Sequence, residues 1–304
     1  MSRPTEPERD NAGEYSLQDW LESARTQPAL PDDLPDWVRR LAEVTAPGAD
    51  PDAGESGIGA IFNEPARTVP ELGPDGTPPR YSAVLVLLGD GDGGEHSGET
   101  TVLLTHRNPR MRTHSGQIAF PGGRREAQDA DPVATAVREA VEETALDPTS
   151  VVPVSVMAPL YIDRTNHAVI PVVAWWRTPG PVHPATQESD WVRAFPVARL
   201  ADPANRRRIG FLSWHGPAFD VDGYLLWGFT GGVVDALLTI AGWERPWEEP
   251  WADGEPAAVA DLFAALEASR NGENLAAEAL GDRLDGELEN DRTHDSTHDR
   301  KESR

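Results

Sequence analysis

The chain offers one helix whose two ends are both fixed by local chemistry, and that helix limits what can surround it. Asp131-Pro132 reads as a start, since Asp caps orphan amides and proline suits the first helical position. Asp147-Pro148 reads as a stop, because proline cannot continue a helix. The helix is predicted from about Pro132 to Leu146. At a helical period Glu139, Glu142 and Glu143 share one face with Thr135 beside them, and Val133, Val137, Ala140 and Val141 are predicted to turn the opposite face into the core. Like charges three or four residues apart cost about 0.2–0.5 kcal/mol per pair in an isolated helix. A hard divalent cation such as Mg2+ held between the carboxylates reverses that sign. A solvated acidic face explains the same residues in a chain of formal net charge −24. Arg138 lies four residues before Glu142 and can hold that carboxylate in one orientation, or form an ordinary helix salt bridge.

The segment in front of the helix has the opposite character. From Thr101 to Arg125 there is no Asp or Glu, although the chain carries 51 acids. At that density about four would be expected there. The same window holds Arg107, Arg110, Arg112, Arg124 and Arg125 with His106 and His114. Arginine suits bidentate phosphate contacts, so a local positive funnel in an acidic protein points to an anionic ligand. A surface loop that is merely basic is the plainer alternative. Gly122-Gly123 after Pro121 allows close backbone approach to a ligand and equally makes an ordinary turn.

Gly123 through Leu146 resembles a Nudix box, with REAVEE at Arg138–Glu143 as its core. The preceding LLTHRNPRMRTHSGQIAFPGG is similar to the additional motif of the coenzyme A pyrophosphatase branch, in which the box carries Asp, as at Asp129, and one added residue before Arg-Glu. Glu188 before VRAFPVARL, and YLLWGFTGG at Tyr224–Gly232, extend the resemblance across roughly residues 80–245. Thr144-Ala145-Leu146 departs from the usual aliphatic-Gly-aliphatic ending, and alanine enters the left-handed cap less cheaply than glycine. A slightly altered helix end is expected.

The resemblance implies an α/β fold, a Nudix-type α/β/α sandwich with a mixed sheet. It implies Mg2+ or Mn2+ held by Glu139, Glu142, Glu143 and the Gly123 carbonyl, with Arg138 orienting a ligand glutamate. Arg107 and Arg112 would engage phosphates, His114 and Gln117 would line the same side, and Glu142 or Glu188 would be the general base. The implied reaction splits coenzyme A into adenosine 3′,5′-bisphosphate and 4′-phosphopantetheine. Other nucleoside diphosphate derivatives (ADP-ribose, NADH, a nucleoside triphosphate) are the alternative substrates. A non-catalytic nucleotide-binding module is the third reading, which the retained box carboxylates disfavour.

The rest of the chain frames this domain. Residues 1–79 are read as an extension with short helices near Leu17–Ala24 and Leu34–Val44 and a Gly/Pro-rich linker, 80–246 as the catalytic domain, and 247–304 as an acidic extension, disordered at its end. Both extensions are expected to be flexible. Strands are predicted at Ser82–Leu88, Thr100–Thr105, Val151–Met157 and Ala168–Trp175, and a helix at Val233–Ala241. GDGDGG lacks the spacing of a calcium loop and reads as a hairpin tip. The ten tryptophans read as packing residues, and His294 and His298 as solvated side chains. No apolar run is long enough for a spanning helix, the N-terminus lacks a signal-peptide pattern, and there is no cysteine for disulfide or thiol chemistry. A cytoplasmic enzyme acting on a small molecule is expected, with neither nucleic acid nor membrane as partner and the oligomeric state left open.

Overall fold

In the computed structural model the described residues are 14–46, 69–90, 99–111, 116–211 and 214–247, with 257, 258 and 264. The strands are β1 Arg80–Asp90, β2 Thr100–Arg107, β3 Ile118–Ala119, β4 Gly122–Arg124, β5 Val151–Val156, β6 Leu160–Ile162, β7 His167–Trp176, β8 Ser189–Pro196, β9 Arg206–Phe211, β10 Trp214–Val221, β11 Tyr224–Leu226 and β12 Ala257–Ala258. The helices are α1 Leu17–Ser23, α2 Asp36–Thr45, α3 Pro132–Thr144, α4 Val197–Leu200 and α5 Gly228–Ile240.

The main sheet runs β3-β2-β1-β7-β5, with β4 added to β1, β6 to β7 and β8 to β2. It is mixed. β1 and β7 pair in parallel from Arg80↔His167 to Gly89↔Trp176, while the other pairings are antiparallel. The apolar run of β1 follows from its central place, because a strand covered on both faces needs no polar alternation. Ala83, Leu85 and Leu87 face one cluster with Trp20 of α1 and Ala136 and Ala140 of α3. Val86 and Leu88 face the other, with Val38 and Leu41 of α2 and Val233 and Leu237 of α5. Helices on both faces of a mixed sheet make the α/β/α sandwich expected from the sequence. A second sheet, β11-β10-β9-β12, lies on the α2 and α5 side, where Phe219 and Val221 join the core.

Residues 14–46 take part in this packing. Trp20 is fully buried, and its indole N–H donates to Thr135 Oγ1 at 3.1 Å. The 69–79 stretch forms turns rather than regular elements, and the 51–68 part of the expected linker lies outside the described residues. So do residues 91–94 of the GDGDGG tip and the tail from 265 onward. No helix among the described residues is long and apolar enough to cross a membrane.

α3 begins as expected. The Asp131 side chain accepts from the Ala134 amide at 2.7 Å, and Pro132 follows the cap. It ends at Thr144, two residues before the expected Leu146, because Ala145 takes the left-handed conformation with φ 56° and donates its N–H to Val141 O. Alanine therefore fills the glycine role of a left-handed cap, at the steric cost glycine avoids.

Candidate active site

The buried side of α3 differs from the expected one. Pro132, Thr135, Ala136, Ala140 and Thr144 are buried, while Val133, Val137 and Val141 are only half-buried. On the helical wheel Glu139 and Glu143 fall between Thr135 and Ala136, so these carboxylates belong to the face turned to the sheet. The expectation that all three glutamates oppose the core is corrected for these two. Small neighbours let the helix approach β1 and β4 closely, and the two glutamates find room against glycine there.

Strand β4 supplies that room. It pairs with β1 as Val84↔Gly122 and Ala83↔Gly123. A Cβ at Gly122 would stand 2.5 Å from Ala83 O, and one at Gly123 would stand 2.4 Å from the Glu139 carboxylate. Neither position accommodates another residue without displacing its neighbours. The Gly122 amide donates to Glu143 Oε2 at 3.0 Å. Two carboxylates one helical turn apart are thus laid along a bare strip of backbone.

Their surroundings oppose ionisation. Burial pushes the Glu143 carboxyl up to about 7, with the Glu139 charge adding to it and the Gly122 amide and Arg107 acting against it. Burial also raises Glu139, against the opposing pull of Arg138. Below the ordinary value of 4.5 Glu143 is protonated folded or unfolded, and its stabilising contribution is fully present. That contribution is lost as pH rises through about 7, where the folded protein must release the proton. A cation that binds only the carboxylate form restores what is lost. We expect saturating Mg2+ to raise Tm little at pH 5 and clearly at pH 8, with a gain of roughly 2.7 kcal/mol at a hundredfold excess over Kd. Scanning calorimetry at both pH values reads this directly, and an Mg2+ effect independent of pH would contradict it.

Arg138 is the hub beside this pair. Its Nε and Nη2 donate to the two Asp129 oxygens at 3.0 Å each, and Nη2 also donates to Arg124 O at 2.9 Å. Nη1 lies 3.1 Å from Glu139 and 3.5 Å from Glu142. The sequence pointed to Arg138–Glu142; the geometry makes Asp129 its principal partner and Glu139 the nearer glutamate. Buried Asp129 also accepts from the Glu126 amide and the Thr135 hydroxyl. Burial alone would raise its carboxyl, but Arg138 and these donors outweigh it and hold Asp129 below the ordinary range. Glu142 is exposed at the edge of this network.

The basic side approaches from β2. Arg107 ends that strand, donates its amide to Gln117 O at 2.9 Å, and forms an ion pair with Glu188 at 3.3 Å. Arg107 and Glu188 act on Glu143 with opposite signs, so strand end, β8 approach and helix converge. The structure therefore brings together Arg107, Gln117, Gly123, Arg138, Glu139, Glu142, Glu143 and Glu188. Arg112 and His114 lie outside the described residues. Among the described residues no three His, Asp or Glu side chains are grouped as a ready metal site. The donor set, carboxylate oxygens on glycine backbone with raised carboxyls, still suits a hard divalent ion.

Two site residues escaped the sequence reading. Asp129 was named only for its place in a motif, and nothing in the linear order announces that it anchors Arg138. His106 enters the sequence reading only as one basic residue of the segment before the helix, whereas it is buried on β2 with Asp190 beside it. Its place at the end of a strand buried continuously from Thr101 was the available signal.

A family model described as the NUDIX domain matches residues 79–215. A NudL Nudix hydrolase of Klebsiella pneumoniae subsp. pneumoniae is 36% identical over 169 residues, covering 52% of this chain and 81% of that protein. "Nudix hydrolase 15, mitochondrial" of Arabidopsis thaliana is 32% identical over 185 residues, covering 57% of this chain and 62% of that one. "Nudix hydrolase 22, chloroplastic" of the same plant is 34% identical over 179 residues, covering 55% of this chain and 57% of that one. The chain thus spans about three fifths of the length of these plant relatives.

Proposed function

Because the chain belongs to the Nudix hydrolase family, we propose that it is a diphosphatase that splits the diphosphate bond of coenzyme A or its derivatives. The observation that carries this reading is the pair Glu139 and Glu143, laid on Gly122-Gly123 with Arg107 arriving from the other side. Glu139, Glu142, Glu143 and the Gly123 carbonyl would hold Mg2+ or Mn2+. Bound there, such an ion polarises the diphosphate and lowers the pKa of an attacking water.

The chain's own residues do the rest. Arg107 engages phosphate oxygens with Gln117 on that side, and Arg112 and His114 would serve with them, as the sequence motif implies. Arg138 keeps Glu139 in place through its own fixed hold on Asp129. Glu188 stands beside the phosphate-binding Arg107, half exposed, and takes the proton of the attacking water. Glu142 is the second candidate for that base, but its nearest charged partner is Arg138. Water adds across the diphosphate, giving adenosine 3′,5′-bisphosphate and 4′-phosphopantetheine.

The preference for coenzyme A rests on the motif at Leu103–Gly123, since an arginine-lined rim serves any diphosphate. The alternative is hydrolysis of another nucleoside diphosphate derivative. A panel of coenzyme A, acyl-coenzyme A, NADH, ADP-ribose and a nucleoside triphosphate, with Mg2+ and with Mn2+, separates the two. The highest kcat/KM is expected for coenzyme A or its acyl form, and a higher value for ADP-ribose would reverse the ranking.

A further inference from the structure

Both ring nitrogens of buried His106 face oxygen. Nδ1 lies 2.5 Å from Asp190 Oδ1, and Nε2 lies 3.1 Å from the Gly116 carbonyl oxygen. A carbonyl oxygen only accepts, so Nε2 carries a proton. A 2.5 Å approach of Nδ1 to a carboxylate oxygen needs a second proton between them, since two lone pairs would repel at that distance. Aromatic rings close the surroundings. Trp191 stacks at 5.3 Å with an interplanar angle of 8°, and Tyr224 meets the ring edge-on at 4.5 Å. Among the described residues the charged and titratable groups around it are Asp190 and Arg193 of β8, Tyr224 of β11, and the Arg107–Glu188 pair at the adjoining strand end.

The position of this contact gives it a role. Gly116 donates its amide to Arg107 O at 3.1 Å, Arg107 donates to Gln117 O, and Asn108 donates to Glu188 O at 2.7 Å. His106 therefore reaches, through one ring, both neighbours of the Arg107 backbone: the Gly116 side and the β8 side. The β2–β8 register also shifts between His106 and Arg107, so regular pairing does not by itself fix Arg107 against β8.

We propose that His106, hydrogen-bonded through both ring nitrogens, braces Gly116 and Asp190 together, making it the positioning residue that sets Arg107 and Glu188 at the substrate-binding rim. This role rests on reading Arg107 as a phosphate contact, whereas the brace itself does not. His106 touches no substrate. It acts through the backbone rungs on either side of Arg107.

The test uses the full chain labelled with 15N-histidine, with the His106 signals assigned by their loss in His106→Asn. Both ring nitrogens should show slowly exchanging protons in the parent protein, and Asp190→Asn should lose the one at Nδ1 while keeping that at Nε2. Asp190 is partly exposed, so its substitution tests the brace even where His106→Asn fails to fold. In Asp190→Asn we expect amide exchange at Arg107 and Gly116 to speed at least about tenfold relative to Val86, and KM for coenzyme A to rise about tenfold with kcat within about threefold, as for loss of one charge-assisted hydrogen bond. A ring nitrogen without a slowly exchanging proton in the parent protein overturns the proposal, as does unchanged exchange in Asp190→Asn. Faster exchange with an unchanged KM overturns the positioning role. A parent protein that hydrolyses no diphosphate defeats the functional reading alone, and ring state and exchange still decide the brace.

Discussion

Glu143→Gln is expected to lower kcat for diphosphate hydrolysis on the order of 10³-fold, about 4 kcal/mol of barrier, while leaving the protein as stable as before or more stable. Glutamine keeps an oxygen acceptor for the Gly122 amide and a similar volume, so the local fold has no reason to change. It removes a carboxylate whose ionised form is opposed by burial and by Glu139. Ionic groups kept in such surroundings cost stability and are retained for function. Thermal unfolding at pH 8 without metal should show an equal or higher Tm for the variant, and single-turnover assays should show the lost rate. Near-parent kcat would remove Glu143 from the catalytic site; a large fall in Tm would assign it a structural role instead.

Asp129→Ala is expected to destabilise the protein by about 3 kcal/mol, the low end for breaking a buried ion pair. The Arg138 guanidinium would lose both of its 3.0 Å acceptors, the Glu126 amide would lose its own, and the Thr135 hydroxyl would keep only the longer 3.4 Å contact to Asp131 O. Glu139 remains within 3.1 Å of Arg138, which keeps the cost from rising further. That same contact predicts a second effect. Freed from Asp129, Arg138 turns more fully to Glu139 and Glu142 and competes with a cation for them, so affinity for Mg2+ should fall. Urea unfolding and metal titration of one preparation measure both. A loss of stability under about 1 kcal/mol would mean that Arg138 finds water or Glu126 in place of Asp129.

The start of the helix could be read from the sequence because the Asp131-Pro132 cap acts locally, whereas its end is set by Ala145 and not by Asp147-Pro148, which opens the next turn. Which face the helix buries could not be read. Periodicity places Glu139 and Glu143 together, but only the apposition of Gly122-Gly123 across the sheet shows that carboxylates can occupy the inner face. The buried strands β1 and β7 announced themselves as apolar runs, whereas β9 begins Arg206-Arg207-Arg208 and reads as polar. Arg206 is buried because Asp235 at 2.6 Å and Glu244 at 3.0 Å neutralise it, partners far away in the chain. The start of α5 was hidden by glycine. Gly231 lies in the helix because a Cβ there would come within 3.0 Å of Pro217 O, a close approach only tertiary packing reveals. The His106–Asp190 contact was equally out of reach, since it depends on the register of β2 against β8.

The central claim is metal-dependent cleavage of a diphosphate within coenzyme A, and product analysis tests it most directly. Purified protein incubated with coenzyme A and Mg2+ or Mn2+ should release adenosine 3′,5′-bisphosphate and 4′-phosphopantetheine in equal amounts. Release should stop on adding a chelator and return on adding excess metal. Intact coenzyme A after prolonged incubation with either metal would contradict the account, as would products cleaved at the 3′-phosphate or the thioester instead.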